Sequence, residues 1–375
     1  MIELKENKVY LHSIASTVPE KFYTQEFALK YMKKIVGDTP KKRVFLNKVY
    51  KGTEIRKRHT VIDDYGKNPK DFTFYPKNKK LLPEPTTKQR NDLYAEESIR
   101  LGKQAVEKLL NKNPQFDKKK ISHIITVTCT GFDAPGLDYF IVRDFDLNPK
   151  IDRYILGFMG CQAAINALKL AKNICLSEPE ARVLIVNVEL CSVHLQQSFE
   201  LDQVIANAIF ADGITAALIS SDESDSNGSK FILHDFATDI VPGTEEDMAW
   251  NIGDNGFGMK LTINVPRVVK ANLASILGEL LERANKTKKD INIWAIHPGG
   301  KAILTKAEQA LDLTSEDLDA SYHIMREFGN MSSATIMFVL EYILENKDKT
   351  GLTFTTSFGP GMTIEAALLE KIKSS

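Results

Sequence analysis

Three residues in this 375-residue chain have the types and settings for acyl-group chemistry. Cys161 lies in Gly157-Phe158-Met159-Gly160-Cys161-Gln162-Ala163-Ala164, with small residues after the thiol. His297 lies in Trp294-Ala295-Ile296-His297-Pro298-Gly299-Gly300, and Asn330 in Phe328-Gly329-Asn330-Met331-Ser332-Ser333-Ala334-Thr335. A thiol can carry an acyl group as a thioester, while an imidazole and a neutral amide stabilise a negative oxygen or enolate beside it. Each residue alone has a plainer reading: a buried inert cysteine, a histidine capping a turn, an asparagine capping a helix. Their company is what points to acyl transfer.

Positioning these groups demands particular elements. Cys161 is expected to open a helix running to Leu176, where free N–H groups and the positive helix end favour a thiolate. His297 is expected on a tight turn after a strand ending at Ile296, at the sheet edge where open α/β folds bind ligands. An imidazole there, close to Cys161, would hold the thiolate as an ion pair. Asn330 stands just before a helix predicted over 332–345. Gly299-Gly300-Lys301-Ala302 lacks the spaced glycines, and the Ser/Thr after Lys, of a phosphate loop.

Along the chain, Lys8-Val9-Tyr10-Leu11-His12-Ser13-Ile14 predicts a first strand, and a helix is predicted over Pro40–Lys51, stopped by Gly52. Residues 65–92 are rich in Lys, Asn and Pro and predict a long surface excursion. A helix from Asn91 to about Leu110 follows, with Ala95, Ile99, Gly102, Val106 and Leu109 on its small-to-apolar face. Strands are predicted over 121–128, 181–188, 214–220, 291–296, 351–356 and 362–368, and a further helix over 266–284. This alternation predicts an α/β fold with a parallel or mixed sheet covered on both faces. Each half ends in a Gly-punctuated strand pair, which suggests an internal duplication.

Composition narrows the partners. Lys and Arg number 49 and Asp and Glu number 49, so no long-range pull toward nucleic acid or anionic membrane is expected. No apolar run is long enough to span a bilayer, and Met1–Asn7 lacks the apolar core of a signal peptide. Cys129, Cys161, Cys175 and Cys191 form no Cys-x-x-Cys pair, which predicts separate reduced thiols in a cytoplasmic protein and no metal site.

Together the three segments resemble the type III polyketide synthases, the chalcone synthase-like family of the thiolase superfamily. The resemblance rests on His-Pro-Gly-Gly followed by Lys301-Ala302-Ile303-Leu304, on Gly-Asn-Met-Ser-Ser-Ala, and on Phe358-Gly359-Pro360-Gly361 before Thr363-Ile364-Glu365. It extends to Phe210-Ala211-Asp212-Gly213, Val188-Glu189-Leu190-Cys191-Ser192 and Trp250-Asn251-Ile252-Gly253-Asp254-Asn255-Gly256-Phe257, the last two more like bacterial members. It covers about residues 8–370.

The resemblance implies an α/β thiolase-like fold of two duplicated halves in a layered αβαβα architecture. Residues 1–225 would carry the nucleophilic Cys, and residues 226–375 the His and Asn. It implies catalytic roles for Cys161, His297 and Asn330 in iterative decarboxylative condensation of malonyl-CoA onto an acyl-CoA starter, followed by cyclisation. No cofactor beyond the CoA thioesters is implied. Phe210 falls on the family's gatekeeper position between CoA tunnel and cavity, and Met259 on a position that is Phe in plant members. Cys129, Thr130, Cys191, His194, Trp250 and Ser332 fall on cavity positions, His194 either as a titrating group or as a hydrogen-bonded lining residue. The family places CoA-binding cations near Lys48, Lys51 and Arg56, whose plainer reading is a solvated charged face. A homodimer is implied, with Ala134 lining the partner's cavity. Two other readings remain: a ketoacyl-carrier-protein synthase III-like condensing enzyme, and a non-catalytic acyl-binding homologue. A hydroxymethylglutaryl-CoA synthase would need an acid near the nucleophile, and the sequence reading places none.

Overall fold

The apolar runs spaced between helical segments all enter one sheet. In the computed structural model, which describes residues 8–346 and 348–373, the first part of the chain forms β1 (Tyr10–Thr17), β2 (Phe22–Thr24), α1 (Gln25–Ile35), α2 (Pro40–Gly52) and β3 (Lys57–His59). Next come α3 (Thr87–Lys112), β4 (His123–Thr128), α4 (Leu137–Asp144), β5 (Asp152–Gly157) and α5 (Ala163–Ser177). β6 (Arg182–Leu190), α6 (Leu201–Ile209) and β7 (Asp212–Ser220) follow. The remainder contributes β8 (Lys230–Ile240), β9 (Met248–Gly253), β10 (Gly256–Leu261), α7 (Val265–Arg283) and β11 (Ile293–Ile296). The chain closes with α8 (Lys301–Leu311), α9 (Asp319–Phe328), α10 (Ala334–Asn346), β12 (Gly351–Gly359) and β13 (Thr363–Ile372). Met1–Asn7, read above as no signal peptide, lies outside the described residues.

The sheet has nine strands in the order β11-β12-β13-β8-β1-β7-β6-β4-β5 and is mixed. One pattern occurs twice. β1 pairs antiparallel with β7, β7 antiparallel with β6, and β6 parallel with β4. Likewise β8 pairs antiparallel with β13, β13 antiparallel with β12, and β12 parallel with β11. The two sets join where β1 pairs with β8, at Tyr10↔Ile232 and Leu11↔Phe231, and where Leu233 N–H donates to Val9 O.

Helices α5 and α10 touch strands of both sets and each other, so they form a shared central layer. Its core unites Ala164, Ala167 and Leu168 of α5 with Met337 and Leu340 of α10, and with Ile185, Ala217, Ala367 and Leu369 from the strands. Outside the first strand set lies α3, and outside the second lie α7 and α8, each over its own apolar cluster. The result is the five-layered αβαβα order. Small alanines on α5 let it sit between the two strand sets; each larger aliphatic beside them contributes about 1.5–3 kcal/mol when buried.

Two expectations about α3 and its approach need correction. The helix starts at Thr87, earlier than predicted, behind a Thr86/Gln89 capping box. Ala95 and Ile99 are only half-buried, whereas Arg90, Tyr94 and Ser98 are buried. Hydrogen bonds rotate that face inward: Arg90 donates to the Pro85 and Leu195 carbonyls and Tyr94 to Thr128 Oγ1. Within 65–92 the excursion is also partly core, since Phe72, Tyr75 and Leu81 are buried. The buried Asp64 carboxylate holds it by accepting from the Thr73, Phe74 and Tyr75 amides.

Candidate active site

The two central helices begin at the same place, and that is where the three candidate residues meet. Cys161 occupies a turn two residues ahead of α5, so the helix begins slightly later than expected. Its backbone neighbours are held in the left-handed region, Phe158 at φ 60° and Gly160 at φ 82°. Strain of this kind persists only where the surroundings enforce it. Cys161 Sγ lies 3.6 Å from Ser332 Oγ. Burial pushes the thiol up to about 12; hydrogen bonds from Ser332 and Asn330 oppose that shift, and the nearby Glu189 carboxylate adds to it.

His297 follows β11, and its amide donates to the Thr356 carbonyl at 2.9 Å, continuing the strand register by one residue. Its ring is buried, and neither ring nitrogen has a hydrogen-bond partner. Burial alone lowers its pKa to about 3. Burial thus disfavours both the thiolate and the imidazolium, and no hydrogen bond joins the two side chains. With neither ring nitrogen engaged, the imidazole is free to accept a proton.

Asn330 sits between α9 and α10. Its Oδ1 accepts from the Ser332 amide at 2.9 Å and from Thr335 Oγ1 at 3.3 Å, which is the capping behaviour of its plainer reading. Its Nδ2 donates to the Gly299 carbonyl at 3.3 Å, next to His297. Oriented in this way, the amide presents its donor side to the space beside Cys161. The backbone adds a bridge: Asn330 N–H donates to Ile209 O and Ala211 N–H to Asn330 O, at 2.9 and 2.8 Å. This ties Asn330 to Phe210.

A cavity of about 440 Å³ is lined by Cys161, His297, Asn330, Phe210, Met259 and Phe358, among others. It is mostly apolar, with Phe45, Val49 and Ile205 on its outer wall. Beyond Phe210 and Met259 lies an inner pocket of about 20 Å³ bordered by the same two residues together with Cys191, His194 and Trp250. Phe210 and Met259 thus stand between the two spaces. The inner pocket is filled by aromatic rings, since His194 stacks on Phe257 at 4.0 Å and meets Trp250 edge-on at 5.6 Å. His194 uses both ring nitrogens, Nε2 toward Thr130 O at 2.8 Å and Nδ1 accepting from the Phe257 amide at 3.1 Å. With burial also holding its pKa down to about 3, it is a neutral hydrogen-bonded lining residue.

Cys129 and Thr130 stand behind Cys161 and do not line either space. Gly160 N–H donates to Cys129 Sγ at 3.0 Å, and Trp250 Nε1 to Cys129 O at 2.7 Å. Both residues converge on Glu189, which the sequence reading passed over. Its carboxylate accepts from Cys129 N at 3.0 Å, Thr130 Oγ1 at 3.1 Å and Ser333 Oγ. Burial pushes it up to about 7. An acid therefore does lie near the nucleophile, but it does not line the cavity. A carboxylate inside a strand buried along its whole length was the signal for it.

Of the expected cations, Lys48 lines the cavity, while Lys51 and Arg56 do not. Arg56 pairs with Glu327 at 2.9 Å. Lys301, set aside with the phosphate-loop reading, lines the mouth and pairs with Glu54 at 2.6 Å. Ile263, 74% exposed, stands on the same rim. Ala134 is not brought to this cavity. It lines a separate surface groove of about 400 Å³ with Phe132, Tyr154 and Ile155. Among the described residues, no cluster of His, Cys, Asp or Glu could hold a metal ion, and no helix is long and apolar enough to cross a membrane.

Residues 3–223 match the N-terminal domain of chalcone and stilbene synthases, and residues 233–373 match the C-terminal domain. The alpha-pyrone synthesis polyketide synthase-like Pks18 of Mycobacterium tuberculosis is 29% identical over 371 residues, covering 97% of this chain and 91% of its own. The crystal structure of PKS-I from the brown alga Ectocarpus siliculosus superposes with a TM-score of 0.89 at 28% identity, covering 97% of this chain and 98% of that one. The 1,3,6,8-tetrahydroxynaphthalene synthase of Streptomyces coelicolor, a bacterial type III polyketide synthase, superposes with a TM-score of 0.85 at 25% identity, covering 98% and 99%.

Proposed function

Since this chain belongs to the chalcone and stilbene synthase family and is a type III polyketide synthase, we propose that it is an acyltransferase that loads an acyl-CoA starter onto Cys161 and extends it with malonyl-CoA. The observation that carries the reading is the single cavity shared by Cys161, His297 and Asn330. His297 accepts the thiol proton as Cys161 attacks the starter thioester, and CoA leaves as a thiolate that takes a proton from solvent at the mouth. Malonyl-CoA then enters with its thioester oxygen toward His297 and Asn330. Loss of CO2 leaves an enolate there, which attacks the Cys161 thioester and returns the sulfur as thiolate. Lys48 and Lys301, which both line the cavity, are the cations we assign to the CoA phosphates. We divide the chain at 225/226, between the two copies of the strand pattern, and read it as a cytoplasmic protein. Products formed by purified protein from malonyl-CoA and a panel of acyl-CoA starters, read by mass spectrometry, test the function. Polyketide lactones or aromatic products are expected, and CoA release without any extended product would reject it.

We further propose a homodimer built on the groove that holds Ala134. β5 is the sheet's edge strand, with Tyr154 43% and Ile155 57% exposed, and Phe132 beside it packs on Phe158 at 5.4 Å. An apolar edge of this kind is a pairing surface. A second copy covering it brings Ala134 toward the partner's cavity. Light scattering across dilution is expected to give twice the 42.1 kDa chain mass. Ala134→Met is expected to shift products toward shorter chains; a stable monomer at micromolar concentration would remove both expectations.

A further inference from the structure

The reach between Cys161 and its partners depends on how the two strand sets are fastened together, because the nucleophile comes from one and His297 and Asn330 from the other. Two glycines mark the fastening. At Gly160 a β-carbon would strike Pro360 Cδ, and at Gly359 a β-carbon would coincide with Gln162 Oε1. The residue on each side of Cys161 is thus pressed into the turn that follows β12, and the contacts are reciprocal: glycine against proline, then glutamine against glycine. Gln162 is only 4% exposed, yet its Oε1 has no hydrogen-bond partner. Its amide therefore contributes volume at this place. The Cys129 Sγ contact to Gly160 N–H closes the loop from behind at 3.0 Å. Across the turn, Phe358 enters the cavity beside His297, and Gly361 N–H donates to Met248 O at 2.9 Å.

We propose that Gln162 and Gly359, with Gly160 and Pro360, form an interlock that sets the position of the Cys161 sulfur relative to His297 and Asn330. These are positioning residues that act through Cys161. Gly160 carries a positive φ that a side chain would strain for an independent reason, whereas Gly359 does not, so Gly359 is the cleaner probe. The inference rests on the function proposed above. Its distinguishing mark is selective: decarboxylation of malonyl-CoA uses His297 and Asn330 alone, while acyl transfer also needs the sulfur in register.

The test compares Gly359→Ala, Gln162→Ala and the double variant. Acylation of Cys161 is followed by intact mass after single-turnover mixing with acetyl-CoA or hexanoyl-CoA, whichever labels the unaltered protein faster. Decarboxylation is followed as CO2 released from malonyl-CoA. A displacement near 1 Å costs up to about 10²-fold, so Gly359→Ala is expected to slow acylation at least about tenfold while decarboxylation stays within about twofold. Removing the glutamine amide makes room for the new methyl, so the double variant is expected to recover most of the lost acylation. Normal acylation in Gly359→Ala, parallel loss of both activities, or a double variant no faster than Gly359→Ala would each overturn the interlock. If the unaltered protein takes no acyl group, the proposed function has failed, and Cys161 alkylation by iodoacetamide reads the interlock instead. Gly359→Ala must then change that rate and the double variant restore it; an unchanged rate overturns the proposal.

Discussion

Incubated with an acyl-CoA and digested, the protein is expected to carry the acyl mass on the peptide containing Cys161, and Cys161→Ala is expected to carry none and form no polyketide. Label on Cys129, Cys175 or Cys191 with Cys161 clean would sink the assignment. All four thiols are buried, so exposure does not select among them. What sets Cys161 apart is that it alone lines the cavity shared with His297 and Asn330. pH adds a second reading. Because burial holds the thiol up to about 12, iodoacetamide alkylation of Cys161 is expected to be slow at neutral pH and to rise about tenfold per pH unit through the alkaline range. The Glu189 carboxylate raises the thiol further, so Glu189→Gln removes a negative charge, lowers the thiol pKa and speeds alkylation at pH 8. Slower alkylation in that variant would contradict the electrostatic account.

His297→Ala and Asn330→Ala are each expected to slow malonyl-CoA decarboxylation by roughly 10²–10³-fold, the usual cost of one donor to a developing oxyanion. The fold should tolerate the first change, because neither ring nitrogen of His297 joins a hydrogen bond. Asn330 needs more care, since its Oδ1 holds Ser332 N–H and Thr335 Oγ1. Asn330→Asp keeps that acceptor and replaces only the donor, so it is expected to melt near the unaltered protein and still lose decarboxylation. Unchanged CO2 release in both Asn330 variants would remove the residue from the enolate site. His297→Ala should also slow acylation of Cys161, because the acceptor of the thiol proton is gone.

Much of this arrangement was legible in the sequence, and the parts that were not have physical reasons. Cys161, His297 and Asn330 stood out because each lies in a glycine-bearing segment at the end of an apolar run, which is where elements stop and side chains emerge. The sheet and its mixed character followed from β-branched runs buried on both faces. Gly102, Val106 and Leu109 of α3 are buried as expected, but the inward face of its first turns departs from the pattern, because periodicity counts apolar residues while Arg90 and Tyr94 reach the interior through partners far away in the chain. Glu189 was passed over for the converse reason: a single carboxylate among Val188 and Leu190 does not disturb the pattern of a buried strand. The cations at the mouth were half found. Lys48 lies on a helix whose facing spacing can count, but Lys301 depends on a turn bringing α8 against α2's end, and spacing cannot report that. Filling of the inner pocket by His194, Trp250 and Phe257 was likewise invisible, since it is set by ring-to-ring geometry across separate elements.

The shared central layer has a consequence for how the polypeptide is made. When residues 1–225 have left the ribosome, α5 has one face on its own strands, but the face meant for α10, β12 and β13 has nothing to cover it. Those partners are translated more than a hundred positions later, at about 5–20 residues per second. For several seconds the nascent first half exposes a row of alanines and aliphatics together with the unpaired inner edge of β1. Completion of the second half covers both at once, so the same event that encloses the nascent core also forms the cavity. A chain interrupted before α10 is left as a sticky intermediate, the kind that chaperones retain and proteases clear.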